Sequence, residues 1–428
     1  MIGLLKCERG KGNMERIEEE MGDIEYHRYQ HFISNSPWDH RAVVDRVAYQ
    51  GDEIMVQERL SQKVPTALII DESAHLKRGN KSVGVARQYA GVAGKVDNCQ
   101  VGVYASLCTG TRSCLIDERL YLPESWCSDA RRCQAAGIPE DEQVFKTKPQ
   151  LALEMIDDAR EKGIYFDWVG GDGLYGNTSE FARGLDERNL LYILDIHKNQ
   201  HIYLSEPTIA IPEKVPGQRG PTPTRLKANV PSMRVDKYAA ELAKGQWQKV
   251  RIRKTSKGWL KAYVHVQTVW VWDGKEPTAR QQTLIIRQDI RQENKKSEIK
   301  YSLSNGSLEQ YTPEEYAYFQ AQRYWVERDF QNAKSELAMS DYQIRKWRAW
   351  HHHHAIVFMA MLFMLKERIT HKLHYPLMSI RDARILVTTM IARTMLQNEP
   401  DMLRQLDLMV KRHKKRQADM DRHFLRDP

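Results

Sequence analysis

The chain has 428 residues and no Cys-x-x-Cys pair; its six cysteines stand apart at positions 7, 99, 108, 114, 127 and 133. That spacing argues against cysteine-based zinc clusters and against the disulfide framework of a small secreted domain, so reduced thiols are expected. Long apolar runs are also lacking. The longest, Ala355 to Leu365, is too short to span a bilayer and reads as a buried helix. The first residues show no signal-peptide pattern, which predicts a soluble, cytoplasmic protein with no membrane partner. No internal repeat is present, and no local Ser/His/Asp or Cys/His signature points to a nucleophilic enzyme. Charge of one sign is only slightly in excess: 65 Lys and Arg against 56 Asp and Glu, a net +9. That balance is compatible with a nucleic-acid partner without demanding one. The length allows two or three domains with real cores.

Along the chain, residues 1–62 look helical and mixed in charge, with Ser36 to His40 resembling a helix start. Thr66 to Asp71 is a short buried strand bounded by Pro65. Gln100–Leu107 and Cys114–Leu122 follow as strand candidates. Lys146–Lys162 has helical periodicity, with Pro149 tolerable in its first turn and Gly163 ending it. A strand near Tyr165–Val169, a helix over Ser179–Arg188 and a strand over Leu191–Ile196 complete a β-rich start followed by βαβαβ. Strands joined through helices imply a parallel component. The texture changes at His201. Six prolines between 206 and 231 mark a loop, and four Val-, Ile-, Tyr- and Trp-rich strands follow over 248–303. Residues 251–300 carry twelve Lys or Arg against five Asp or Glu, so this β-rich segment is either a DNA-contacting surface or a solvated face. From Pro313 the chain reads as helix to its end, which closes on the basic cluster 411–416.

Three acids stand out. Asp71 and Asp172 each follow an apolar run that reads as a strand, the position at which open α/β sheets bind ligands. The third is Glu327. At about 100° per residue, Arg323, Glu327 and Lys334 share a narrow wedge of one helical face. A carboxylate flanked by cations suits a site holding metal and phosphate together. Two acids at strand ends can bridge two magnesium ions about 4 Å apart, one activating the attacking oxygen and one stabilising the leaving oxygen. Singly, each acid has a structural explanation: a turn cap, a Gly-rich turn, an ion pair on its own helix. Their joint placement favours a phosphodiester-cleaving site. Glu72, Asp167 and Glu336 read as spare carboxylates.

Other motifs compete. Gly171-x-Gly173-x-x-Gly176, with Asp195 in the next strand, has the spacing and context of a dinucleotide fingerprint. Asp172 between the glycines would oppose a pyrophosphate, and the fingerprint leaves Asp71 and the Arg323–Lys334 helix unexplained. A dinucleotide-binding oxidoreductase therefore stays as an alternative. Gly91 to Lys95 lacks the leading glycine of a P-loop, at Tyr89, and its hydroxyl residue, at Val96. His351 to His354 point around a helix and read as a surface feature.

The blocks Leu68–Ser73, Lys81–Tyr89, Gly94–Gln100, Gly171–Gly176 and Arg323–Lys334 resemble bacterial insertion-sequence transposases of the DDE superfamily, in the branch with a β-rich insertion before the last acid. The resemblance covers about Tyr29 to about Leu365. It implies an α/β fold with a ribonuclease-H-like catalytic core interrupted by the insertion, and helical N- and C-terminal regions. The divisions would be a helical region over 1–62 with possible DNA contact, core over 63–200, a basic insertion over 201–310, core again over 311–370, and a helical region over 371–428. Asp71, Asp172 and Glu327 would be catalytic metal ligands for two Mg2+ ions, with Mn2+ as substitute, and Arg323 and Lys334 DNA contacts. The branch signature Tyr-x-x-Arg-x-x-x-Glu-x-x-x-x-x-x-Lys is matched except at its tyrosine, which is Gln320 here. The resemblance further implies double-stranded DNA as partner, both element termini and target, a homodimer on DNA, and a place at the bacterial nucleoid. One of Trp247, Trp259, Trp270 and Trp272 would stack on a flipped base. The chain also opens without a polar arm, so some N-terminal sequence usual in relatives is expected to be missing; a catalytically silent DNA-binding relic is the second reading.

Overall fold

The computed structural model describes residues 1–7, 10–22, 24–213, 222–255, 258–290, 298–372 and 378–396. The basic cluster 411–416 lies outside them. Ten strands form one sheet: Thr66–Leu76 (β1), Ala86–Ala90 (β2), Lys95–Thr109 (β3), Arg112–Leu120 (β4), Trp168–Gly171 (β5), Tyr192–Asp195 (β6), Gln248–Thr255 (β7), Gly258–Val271 (β8), Arg280–Asp289 (β9) and Ile299–Ser304 (β10). From one edge the order runs β7, β8, β9, β10, β6, β5, β1, β3, with β2 and β4 both pairing to β3. The pairs β1–β5 and β5–β6 are parallel; the rest are antiparallel. Ala67 to Ile70 and Trp168 to Gly171 are buried throughout. Such apolar runs suit strands covered on both faces.

Two features depart from the sequence reading. β1 does not stop at Asp71. It continues to Leu76 because β3 pairs along its whole length, from Thr66↔Thr109 to Leu76↔Cys99. Its other neighbour β5 pairs only as far as Ile70↔Gly171, so Asp71 stands at the first position past the parallel partner. The strands over 248–304 do not make a separate sheet either. β10 hydrogen-bonds to the outer edge of β6, with Ser302 opposite Asp195, and so pairs an edge that would otherwise present open backbone groups.

Among the described residues these helices surround the sheet: His40–Gln62 (α1), Lys148–Glu161 (α2), Ser179–Glu187 (α3), Pro313–Gln322 (α4), Tyr324–Glu336 (α5), Trp347–Thr370 (α6) and Ile380–Leu396 (α7). Short helices at Ile2–Lys6, Met14–Met21 and Tyr26–Ser34 precede α1. Their starts were legible. Asp39 caps α1 by accepting from the Arg41 amide, and Thr147 with Gln150 forms a capping box on α2, whose first turn contains Pro149. Thr312 and Glu315 do the same for α4.

The histidine run is the clearest correction. His351 to His354 are all buried, not on a helix surface. α6 is apolar over most of its length and packs against α1, α7 and β4, so along the histidine run all four side-chain directions meet protein. Each imidazole finds a different neighbour. His351 Nδ1 lies 2.7 Å from Glu118, and His352 reaches the Ile33 and Trp38 carbonyls. His353 reaches the Ala338 carbonyl, and His354 bridges the Trp350 carbonyl and the Tyr104 hydroxyl. Burial depresses the His353 imidazole to about 4.

α5 is pinned across two strands by one buried carboxylate. Asp329 accepts hydrogen bonds from Ser106 on β3 and Ser113 on β4, both at 2.7 Å. Burial raises its carboxyl to about 7, against the two serine donors. A folded-state value above the unfolded one means that the folded chain keeps the proton longer. Its contribution is therefore complete below the unfolded value, near about 4, and declines as pH rises through about 7. Asp329→Asn is expected to flatten the pH dependence of the urea midpoint across that window; an unaltered slope would refute the assignment. Gly176 supplies a second test. A Cβ there would stand 1.9 Å from the Asp195 carbonyl oxygen, a backbone atom. Gly176→Ala should cost about 1–3 kcal/mol, read as a lowered denaturation midpoint, and a wild-type midpoint would contradict this close approach.

Candidate active site

The parallel pairing of three strands ends along one edge, and each strand carries an acid at the next position. Asp71 lies just past the pairing on β1, Asp172 directly follows β5, and Asp195 is the last residue of β6. Ligand atoms of Asp71, Glu72 and Asp172 lie within 4.8 Å of one another. Asp71 is buried, accepts from the Glu72 amide at 2.8 Å and faces Arg323 Nη1 at 3.3 Å. Glu72 pairs through Oε1 with Lys148 Nζ at 3.1 Å, and its carboxylate also faces the buried Tyr175 hydroxyl. Asp172 caps the short helix Gly173–Gly176 by accepting from the Leu174 amide at 2.9 Å.

Carboxylates this close resist ionising together. Burial pushes Asp71 well above the ordinary carboxylate range; Arg323 opposes the rise, and Asp172 and Glu72 add to it. Burial raises Glu72 as well, against Lys148. Three carboxylates with ligand atoms this close make an all-oxygen donor set that fits a hard divalent cation.

Arg323 sits at the break between α4 and α5 and uses its whole fork on acids. Nε meets Asp195 at 2.8 Å, Nη1 meets Asp71 at 3.3 Å and Nη2 meets Glu327 at 2.7 Å. Burial disfavours the guanidinium charge, but Asp195, Asp71 and Glu327 more than offset this and raise its pKa. Behind Asp195 stands a relay: Ser302 Oγ donates to it at 2.5 Å, and Gln320 Nε2 donates to Ser302 at 2.6 Å. Gln320, at the tyrosine position of the signature, is thus buried in the support of Arg323. Lys334 Nζ donates to the Ala74 carbonyl on β1 at 3.2 Å. Burial lowers its pKa and Asp71 raises it.

Two of the three acids read from sequence, Asp71 and Asp172, therefore converge directly. Glu327, half-exposed, is outside the 4.8 Å group among the described residues and is joined to Asp71 across one guanidinium. Glu72, taken as a spare carboxylate, belongs to the cluster; its only signal was adjacency to Asp71. Asp195 enters the sequence reading only through the competing dinucleotide fingerprint, although its strand-end position already put it on this edge. The other spare acids lie elsewhere: Asp167 holds the Thr66 amide and Arg59, and Glu336 pairs with Arg384.

The competing motifs lose their chemistry in three dimensions. Asp172 occupies the Leu174 amide that a pyrophosphate would need, Gly176 is pressed against the Asp195 carbonyl, and the Asp195 carboxylate is taken by Arg323 and Ser302. Gly91–Ala93 is a tight turn joining β2 to β3. Of the four tryptophans, Trp259 is exposed, with the Arg251 guanidinium and Lys254 Nζ about its ring at 6.0 and 5.7 Å; Trp247, Trp270 and Trp272 are partly buried. No described helix is long and apolar enough to cross a membrane.

Two comparisons with known proteins bear on the family of this chain. A relative from Microchaete diplosiphon, named "Probable transposase for insertion sequence element IS701", is 34% identical over 175 residues, 40% of this chain. The match spans 41% of that relative's own length. The family model of the DDE superfamily endonucleases matches residues 1–258, more than half of the sequence, and the chain belongs to that family.

Proposed function

We propose that the chain is a DNA transposase that cuts at the ends of its own insertion element and joins the freed 3′-hydroxyl to target DNA. The observation that carries this reading is the convergence of Asp71, Glu72 and Asp172 at the carboxyl edge of parallel strands, with Glu327 tied to them through Arg323. The sheet order β4, β3, β1, β5, β6 supports a ribonuclease-H-like core. On this reading residues 63–200 and 311–370 make the core, 201–310 the β-rich insertion that extends its sheet, and 1–62 and 371–428 the helical flanks.

Asp71, Asp172 and Glu327 are the proposed ligands, for two Mg2+ ions with Mn2+ as substitute, and Glu72 is a further donor. Divalent ions there supply Lewis-acid activation of the attacking oxygen and neutralise the leaving one. The protein's own residues set the geometry. Arg323 holds Asp71 and Glu327 on one fork and is itself oriented by Asp195. Lys334, on the same helix as Glu327, offers a charge to the DNA backbone. Trp259, flanked by basic residues on an exposed hairpin, is the tryptophan best disposed to stack on an unpaired base. Double-stranded DNA is the substrate, and a homodimer would hold two ends together.

The test is cleavage of a plasmid carrying the DNA that flanks this gene, with Mg2+ or Mn2+. Defined cuts by the wild type that disappear in Glu327→Gln, with DNA binding retained, are the expected result; wild-type cutting by the variant would sink the assignment. End-binding without any cutting by the wild type would instead identify a silent relic. Lys334→Ala is expected to weaken DNA binding and to lower the slope of log affinity against log salt by about 1. An unchanged slope would remove Lys334 from the phosphate contacts.

A further inference from the structure

Away from the acidic edge, a second cluster of metal-type donors lies where α1, β4 and α6 meet. Ligand atoms of His40, Glu118 and His351 fall within 4.8 Å of one another. Glu118 is fully buried on β4, and His351 is nearly so on α6. His40, the first residue of α1, is half-buried and stacks on His351 with ring centroids 4.7 Å apart. The cluster thus has an interior side and an open one.

Its hydrogen-bonding groups are not all satisfied internally. The two arginines alongside are committed to other acids: Arg41 to Asp117 at 2.6 Å and Asp158 at 3.2 Å, and Arg119 to Asp117 at 2.8 Å and to Asp158. Among the described residues Glu118 has no Lys or Arg salt-bridge partner. Its Oε1 meets His351 Nδ1 at 2.7 Å, while Glu118 Oε2 and His351 Nε2 are both buried with no hydrogen-bond partner. Glu142 also acts on His351 electrostatically from the loop side. A buried acid facing two imidazoles, with a carboxylate oxygen and a ring nitrogen both lacking hydrogen-bond partners, is a costly arrangement unless a cation completes it.

We propose that His40, Glu118 and His351 form a second cation site, separate from the acidic edge, that takes a borderline divalent ion of the Zn2+ type. Imidazole nitrogens with one carboxylate suit such an ion, whereas Mg2+ prefers oxygen donors. Bound there, it joins the first turn of α1 to the sheet and to α6, and so fastens the N-terminal helices to the core. Water completes the coordination.

The test uses the full chain freed of metal by chelation and titrated with Co2+ in excess Mg2+, the latter to fill the oxygen-only cluster. Visible absorption reports nitrogen-bound, low-coordinate Co2+, and calorimetry reports its stoichiometry. One equivalent with such bands, displaced by Zn2+ with a rise in melting temperature, is expected. Affinity should fall at least about 10-fold in Glu118→Gln and in His40→Ala. His40→Ala alters only a half-buried side chain, so it carries the test if Glu118→Gln does not fold. Absence of the bands, meaning that Glu118 and His351 share a proton only, would overturn the proposal. So would bands that survive in both variants and vanish in Asp71→Asn.

Discussion

The guanidinium of Arg323, set among Asp195, Asp71 and Glu327, is the interaction on which the acidic edge depends. Like charges brought to one sheet edge repel, and burial removes the water that would screen them. A single planar cation with three separate donors relieves that repulsion while holding each acid in a fixed direction. Ser302 and Gln320 orient Asp195 in turn, so β6, β10, α4 and α5 all bear on one side chain. The break between α4 and α5 lets Arg323 point inward while Glu327, a turn later, stays half in solvent.

The sheet determines where that edge lies. Parallel pairing of β1 with β5 ends one residue before Asp71, while antiparallel pairing with β3 carries β1 onward to Leu76. The strand therefore stays paired on one side where its parallel partner ends on the other, which holds the Asp71 backbone beside the end of β5 and Asp172. Extending the sheet through β10 to β7 closes the outer edge of β6 and brings the basic hairpin, with Trp259 exposed on it, into the same sheet as the acids.

α6 supplies the interior against which this is built. Its four consecutive histidines each reach a different partner because successive side chains point about 100° apart and the helix is surrounded along that run. Polar residues in a core are tolerated when each has a partner. His352, His353 and His354 meet that condition; His351 and Glu118 meet it only in part.

Much of the fold was legible because it rests on local signals. The Ser36–His40 start, Pro149 in a first turn and Pro313 marked α1, α2 and α4, and apolar runs marked nearly every strand of the sheet. The acids at the ends of two such runs, and the stripe of Arg323, Glu327 and Lys334, were visible from spacing alone. Partnership was not. Whether Glu72 is spare, whether Asp195 serves a cofactor or an arginine, and whether a histidine run faces water are settled by residues far away in the chain: Asp172, Arg323, Glu118. Sequence periodicity states which face of an element is apolar, but a polar side chain's role depends on what the opposite wall provides. Local chemistry therefore determined the elements and the candidate acids of this chain, and tertiary packing decided which charges meet, because burial and pairing energies exist only once the walls are in place.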